Sequence, residues 1–290
     1  VKHHLVEVDG SAVSYYTAGE PTAPAVVLLH GGGQTASTWR GVVAKLADRY
    51  NCIAPDLRGH GDTSWQPDGS YSLAGHAGDL QALLEHLGVS RPHLVGMSLG
   101  GQTALHAACH GLELTSLTLV DVGPRLVEEG GAEIRDFLAR WSFPSFEDAL
   151  DHAAAFSPGR TRESLAQSLT RNMRQLPDGG WSWKWDPRRS RSRWDRAAQA
   201  AALMTLLAQI SSPVLVVRGA RSSVFSTELA EEFLAALRDA AVDARLVTIP
   251  GAGHAVQTDQ PAALAGTIED FYSRLPLRVA TGHDEMRTQS

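Results

Sequence analysis

The sequence predicts an α/β protein: a mostly parallel sheet with helices on both faces, interrupted after its sixth strand by a helical insertion. Three observations predict it. Continuous apolar runs such as Ala25-Val26-Val27-Leu28-Leu29 alternate with stretches of helical period, and a run without polar alternation suits a strand covered on both faces. From Gly123 to about Gln209 this rhythm lapses and only helical periodicity is left. Beyond Gln209 the alternation resumes.

Taken in order, Leu5–Val8 and Val13–Thr17 read as a strand pair around Asp9-Gly10, a hairpin-type dipeptide. The run Ala25–Leu29 is a central strand that ends at His30 and the glycines Gly31, Gly32 and Gly33. Thr38–Tyr50 is helical, with Trp39, Val42, Val43 and Leu46 on one face. Cys52-Ile53-Ala54 is the next buried strand and ends in the loop Asp56–Gly61. An amphipathic helix over Ser72–Leu87 precedes the strand at His93-Leu94-Val95, and a helical stretch Gln102–His110 follows it. Leu117–Val120 is the sixth strand, ending at Asp121. In the insertion, helices are expected over Gly131–Trp141, Phe146–Phe156, Arg162–Gln175 and Arg196–Ala208, with no apolar strand. The second part of the core reads as strand Val214–Arg218, helix Thr227–Ala240, strand Arg245–Ile249 and helix Pro261–Leu275. The division is therefore core over 1–122 and 210–275, insertion over 123–209, and a polar, aperiodic tail over 276–290 that is expected to be mobile.

Bulk properties narrow the function classes. The 290 residues are 43% hydrophobic and 20% charged, ordinary for a globular protein with a substantial core. A net charge of −6 argues against a nucleic-acid partner. No stretch reaches membrane-spanning length, so no membrane partner and a cytoplasmic location are expected. Two cysteines, Cys52 in a strand and Cys109 in a helix, are expected as free thiols.

One hexapeptide carries chemistry. Gly96-Met97-Ser98-Leu99-Gly100-Gly101 is a G-x-S-x-G pattern between a strand and a helix, the sequence form of a nucleophile elbow. The turn is so sharp that a side chain two residues before or after the serine clashes, and glycine stands at both places. Ser98 is then presented above the sheet, with the Leu99 amide at a helix N-terminus suited to an anion. Parallel α/β sheets bind ligands beyond the carboxyl ends of their strands. The glycine loop, Asp56–Gly61, Ser98, Asp121, Arg218–Ser226 and Gly251–His254 all fall there.

With His30-Gly31-Gly32-Gly33, Asp56-Leu57-Arg58-Gly59-His60-Gly61, the elbow at Ser98 and Gly251-Ala252-Gly253-His254 in this order, the chain resembles the α/β-hydrolases with a helical cap, from about Leu5 to Leu275. The resemblance implies that His254 is the base for Ser98, a hydroxyl too weak to act alone. It implies an oxyanion hole from the amides of Leu99 and Gly32, with Gly33 as the fallback if the loop is shifted by one. The acid departs from the commonest pattern. After Val214–Arg218 comes Gly219-Ala220-Arg221-Ser222-Ser223-Val224-Phe225-Ser226, without a carboxylate until Glu228. Some relatives carry the acid one strand earlier, which points to Asp121; the alternative is that Asp121 caps the turn into Val122-Gly123-Pro124. Ser222 stands at the usual acid position and is expected to join the same network.

His30 and His60 are expected in structural hydrogen bonds, and His76, His86, His106, His110 and His152 on helix surfaces. Trp181 and Trp183, with Trp185, either wall a hydrophobic pocket or pin the cap; Met97 and Trp39 line the pocket or simply pack. Arg188, Arg189, Arg191, Arg193 and Arg196 form a basic cluster, expected as a solvated face, with binding of a substrate carboxylate by one of them as the alternative. The expected activity is hydrolysis of a small, hydrophobic carboxylic ester or lactone through an acyl-enzyme, with no cofactor and no metal. The fold also hosts carbon–carbon bond hydrolases and hydrolase-derived small-molecule receptors, which stay open as alternatives.

Overall fold

The structure, a computed structural model, describes residues 1–191 and 196–275. The expected tail 276–290 and Arg193 lie outside the described residues, as do the side chains of Arg191 and Arg196.

Two antiparallel strands, β1 (Lys2–Val8) and β2 (Ser11–Ala18), meet at Asp9-Gly10. The core continues through β3 (Ala25–Leu29), α1 (Arg40–Leu46), β4 (Asn51–Pro55), α2 (Leu73–His86), β5 (His93–Met97), α3 (Leu99–Cys109) and β6 (Ser116–Val120). The inserted segment holds α4 (Glu128–Ala139), β7 (Ser142–Phe143), α5 (Phe146–Phe156), α6 (Arg162–Asn172), β8 (Met173–Gln175), β9 (Trp181–Trp183) and α7 (Arg196–Thr205). The core closes with β10 (Val214–Gly219), α8 (Thr227–Asp239), β11 (Ala244–Ile249), α9 (Val256–Asp259) and α10 (Pro261–Ser273). The main sheet has the order β1-β2-β4-β3-β5-β6-β10-β11. Its pairings are parallel from β4 to β11, and β2 joins β4 antiparallel.

Parity along the apolar runs decides which face each side chain covers, since successive residues of a strand point to opposite sides. Val27 and Leu29 of β3, Leu94 of β5, Leu117 and Leu119 of β6, and Val214 and Val216 of β10 share one core with α2, α3 and α8. Their neighbours Val26, Leu28, Val95, Met97, Val120, Leu215 and Val217 pack with α1 and α10 on the other face. Full burial of each Leu or Val contributes about 1.5–3 kcal/mol, so a polar residue on either parity would be costly. The helices start where the sequence provides caps: the hydroxyls of Ser72, Ser145, Thr161 and Ser226 accept the amide hydrogens of Gly75, Asp148, Ser164 and Leu229.

The inserted segment differs from its expected all-helical form. It holds a small sheet of order β7-β9-β8, whose strands of two or three residues are too short to carry a period-2 pattern. Trp181 and Trp183 lie on this sheet, which packs on α5 and α6. The segment sits on the loops that follow β3 and β4. Lys184 O accepts the Gly61 amide hydrogen at 2.6 Å, and Gly59 O accepts that of Asp186 at 2.8 Å. Thr35 Oγ1 donates to Asn172 Oδ1 at 2.7 Å.

Three further residues follow from packing. His76, expected on a helix surface, is instead only 1% exposed in α2, because it lies on the face that carries Leu73, Leu80 and Leu83. Cys52 and Cys109 are free and buried, and burial pushes their thiols up to about 12 and about 11, which keeps them unreactive.

Candidate active site

The elbow follows from glycine geometry. A Cβ on Gly96 would lie 2.4 Å from the Gly100 carbonyl oxygen, and one on Gly100 would lie 2.3 Å from the Leu29 carbonyl oxygen. Both obstacles are backbone and cannot turn aside, so strand and helix meet this closely only through glycine. Ser98 takes φ 50° and ψ −117°, a conformation that costs a non-glycine residue on the order of 1–3 kcal/mol. Val120 O accepts its amide hydrogen at 3.3 Å. Ser98 is partly exposed, while residues 93–97 and 99–101 around it are buried. The glycine loop after β3 runs alongside: a Cβ on Gly31 would lie 3.4 Å from the Ser98 Cβ.

Asp121, Ser222 and His254 form one network beside the elbow. Asp121 is completely buried at the end of β6, in the left-handed region with φ 51°. Its amide hydrogen goes to Val217 O at 2.6 Å. One carboxylate oxygen, Oδ1, accepts the Gly219 amide hydrogen at 2.8 Å. The other, Oδ2, accepts the Ser222 hydroxyl and lies 2.8 Å from His254 Nδ1. A carboxylate accepts only, so Nδ1 carries the proton and Nε2 is left with its lone pair. The approach of the histidine loop depends on Gly219, where a Cβ would lie 2.1 Å from the Gly253 carbonyl oxygen. Glu228, the first carboxylate after β10, is exposed in the first turn of α8.

Two buried histidines brace the glycine loop. His30 Nδ1 donates to Gly31 O at 2.8 Å, and its Nε2 accepts the Leu57 amide hydrogen at 2.9 Å. His60 Nδ1 donates to Arg58 O at 3.1 Å, so its Nε2 is an acceptor for the Gly33 amide at 3.2 Å and Arg189 Nη1 at 2.8 Å. Burial, and then the Arg189 charge, hold His60 well below the ordinary histidine range. This bond uses the Gly33 amide hydrogen and removes Gly33 from the candidate oxyanion donors. The amides of Gly32 and Leu99 donate to no described residue. Gln34, in no sequence motif, also holds the loop: its Oε1 accepts the Gly31 amide hydrogen at 3.2 Å and a hydrogen of Gln257 Nε2 at 3.2 Å, while the same Nε2 reaches Thr38 Oγ1 at 3.0 Å. Gln34 and Gln257 are far apart in sequence, and no motif joins them.

The aromatic candidates have these surroundings. Trp39 is fully buried in the core beside α1, and Trp183, 3% exposed, donates its Nε1 hydrogen to Arg140 O at 3.0 Å. Trp181 is half-buried and packs edge-on against Phe146 within the inserted segment. Trp39 and Trp183 therefore pack within the cores they join. Met97, 1% exposed, lies under the glycine loop, where its Sδ would be 2.6 Å from a Cβ on Gly31. Among the described residues no cluster of three metal-ligating side chains occurs, and no helix is long and apolar enough to cross a membrane.

The chain is similar to known proteins. The model of the Alpha/beta hydrolase family matches residues 26–267. Esterase Rv0045c of Mycobacterium tuberculosis is 38% identical over 252 residues, covering 84% of this chain and 80% of that protein. The 3-hydroxybutyrate-oligomer hydrolase of Cupriavidus necator is 30% identical over 270 residues, covering 87% of this chain and 90% of the other. A crystal structure of the M. tuberculosis esterase superposes with a TM-score of 0.76 at 32% identity, over 94% of this chain and 91% of that one. The chain belongs to the alpha/beta hydrolase family.

Proposed function

We propose that this protein is a serine hydrolase that cleaves carboxylic esters or lactones through an acyl-enzyme at Ser98, with the inserted segment as a cap. The observation that carries the reading is the 2.8 Å contact between His254 Nδ1 and the buried Asp121 carboxylate. That contact supports the tautomer in which the neutral ring presents Nε2 as a base. The similarity to the M. tuberculosis esterase supports the reaction class.

In this reading Ser98 Oγ attacks the carbonyl carbon while its proton passes to His254 Nε2. Asp121, held by Gly219 and Ser222, orients the imidazole and stabilises the imidazolium. The amides of Leu99 and Gly32 hold the negative oxygen, each commonly worth about 3 kcal/mol to the transition state. The tetrahedral intermediate collapses as His254 returns the proton to the departing alcohol. Water, deprotonated by the same nitrogen, then cleaves the acyl–Ser98 bond and releases the acid. The left-handed φ of 50° at Ser98 suits the elbow that this reading requires.

The test is turnover of p-nitrophenyl acyl esters by the wild-type protein and by Ser98→Ala. Multiple turnovers that fall at least about a thousandfold in the variant are expected. Equal rates in the two proteins would end the proposal.

A further inference from the structure

Two adjacent arginines of the inserted segment are treated differently by their surroundings. Arg188 closes a fork on Asp186, with Nε at 3.0 Å from Oδ1 and Nη2 at 2.7 Å from Oδ2, and it also reaches the carbonyls of Gln66 and Pro67. The Tyr71 hydroxyl donates to the same carboxylate at 2.7 Å. Asp186 is therefore fully engaged. Arg189 has no carboxylate within ion-pair distance among the described residues. Its Nη1 donates to a neutral imidazole, His60. Its Nε is buried and meets no acceptor among the described residues, and its Nη2 donates to none either.

The Nη2 end of the guanidinium lies beside the site. Arg189 Nη2 is 4.0 Å from where a Cβ on Gly32 would stand, and the same point is 3.9 Å from the Leu99 side chain. These are the two residues whose amides are proposed to hold the oxyanion. Burial lowers the Arg189 guanidinium to about 10, against the raising influence of Tyr71 and Asp186 nearby. Buried charges persist when something pairs with them. The unused pair, Nε and Nη2, is the side-on fork of a guanidinium, and its two parallel N–H bonds match the coplanar oxygens of a carboxylate.

We propose that Arg189 is the anion-recognition residue of this site, and that the preferred substrates are esters carrying a carboxylate close to the scissile carbonyl. The inference rests on the ester-hydrolase reading and deepens it. Arg189 Nη1 and the Gly33 amide share His60 Nε2, so docking of the carboxylate also braces the glycine loop. Loss of the side chain is accordingly expected to slow neutral esters as well, and the informative quantity is the charged-to-neutral ratio of kcat/KM.

The experiment compares monomethyl glutarate with methyl butyrate for a carboxylate on the acyl side, and acetoxyacetate with ethyl acetate for one on the alcohol side. Wild type, Arg189→Met and Arg189→Lys are measured, with circular dichroism as the control for folding. Wild type is expected to favour the charged member of one pair, Arg189→Met to lower that ratio about 10- to 100-fold, and Arg189→Lys to retain part of it. Glutarate is also titrated into Ser98→Ala and into Ser98→Ala/Arg189→Met by calorimetry, with binding expected only in the former. An unchanged ratio in Arg189→Met together with Arg189-independent glutarate binding overturns the proposal while leaving Ser98 hydrolysis standing. Glutarate binding that needs Arg189, in a protein that hydrolyses no ester, upholds the anion site and removes the hydrolase reading instead.

Discussion

Asp121 accepts hydrogen bonds from Gly219, Ser222 and His254 while having no exposed surface. Every acceptor direction facing the network is used, so the residue cannot be replaced by its amide without placing a donor against a donor. Asp121→Asn is expected to force His254 into the tautomer with its proton on Nε2 and to lower kcat by about 10³- to 10⁴-fold, with the circular dichroism spectrum unchanged. Ser222→Ala, which removes one of the three donors, is expected to cost far less. A nearly neutral Asp121→Asn beside a crippling Glu228→Gln would move the acid elsewhere. Residues at this scale were unevenly legible. Ser98 could be read because its neighbours must be glycine for a steric reason. Asp121 became a candidate only because the segment after β10 lacks a carboxylate before Glu228. Gln34 was hidden, since a hydrogen bond to a residue distant in sequence leaves no local pattern. The sequence marks Arg189 only as one of a basic cluster that suits a solvated face or a substrate carboxylate, and in the fold it is turned inward onto His60.

At the scale of elements, the elbow is the joint on which β5 and α3 depend. A Cβ at position 100 meets the Leu29 carbonyl oxygen, which is fixed by the pairing of β3 with β5. Gly100→Ala is expected to lower unfolding free energy by about 1–3 kcal/mol and to impair activity with it. Gly78, exposed in α2, offers the contrast because nothing lies within 4 Å of its Cβ position. Gly78→Ala is expected to stabilise by about 0.5–1 kcal/mol, through helix propensity alone. Urea unfolding of both variants checks the pair. The apolar runs betrayed the core strands because both parities are buried, and Phe146–Phe156 was legible to the residue because Ser145 caps it. The three short strands of the inserted segment were not legible. Their stability comes from tryptophan packing across the segment rather than from a pattern within each strand.

Across the whole molecule, buried histidines link stability to pH. Burial holds His60 and His76 well below the ordinary value and His93 at about 4. Above about pH 6.5 these imidazoles are neutral in both folded and unfolded chains and contribute no pH dependence. As pH falls below that value the unfolded chain takes up protons that the folded chain refuses, so stability declines by up to about 1.4 kcal/mol per pH unit for each histidine. Urea unfolding at pH 7.5 and pH 5.0 is expected to show a loss of more than about 2 kcal/mol; equal stabilities would contradict these assignments. The architecture was legible at this scale because alternation, motif order and strand-end placement agree with one another. Which groups the inserted segment turns toward the glycine loop was not, since that depends on how two parts of the chain dock.

The central claim, a covalent intermediate on Ser98, is tested most directly by mass spectrometry of the protein quenched during turnover of a p-nitrophenyl ester. The acyl mass is expected on the peptide holding Ser98, accumulating in His254→Ala mixed with a reactive ester and absent from Ser98→Ala. Undiminished turnover by Ser98→Ala, with no acyl adduct on Ser98 in the wild-type protein, would contradict it.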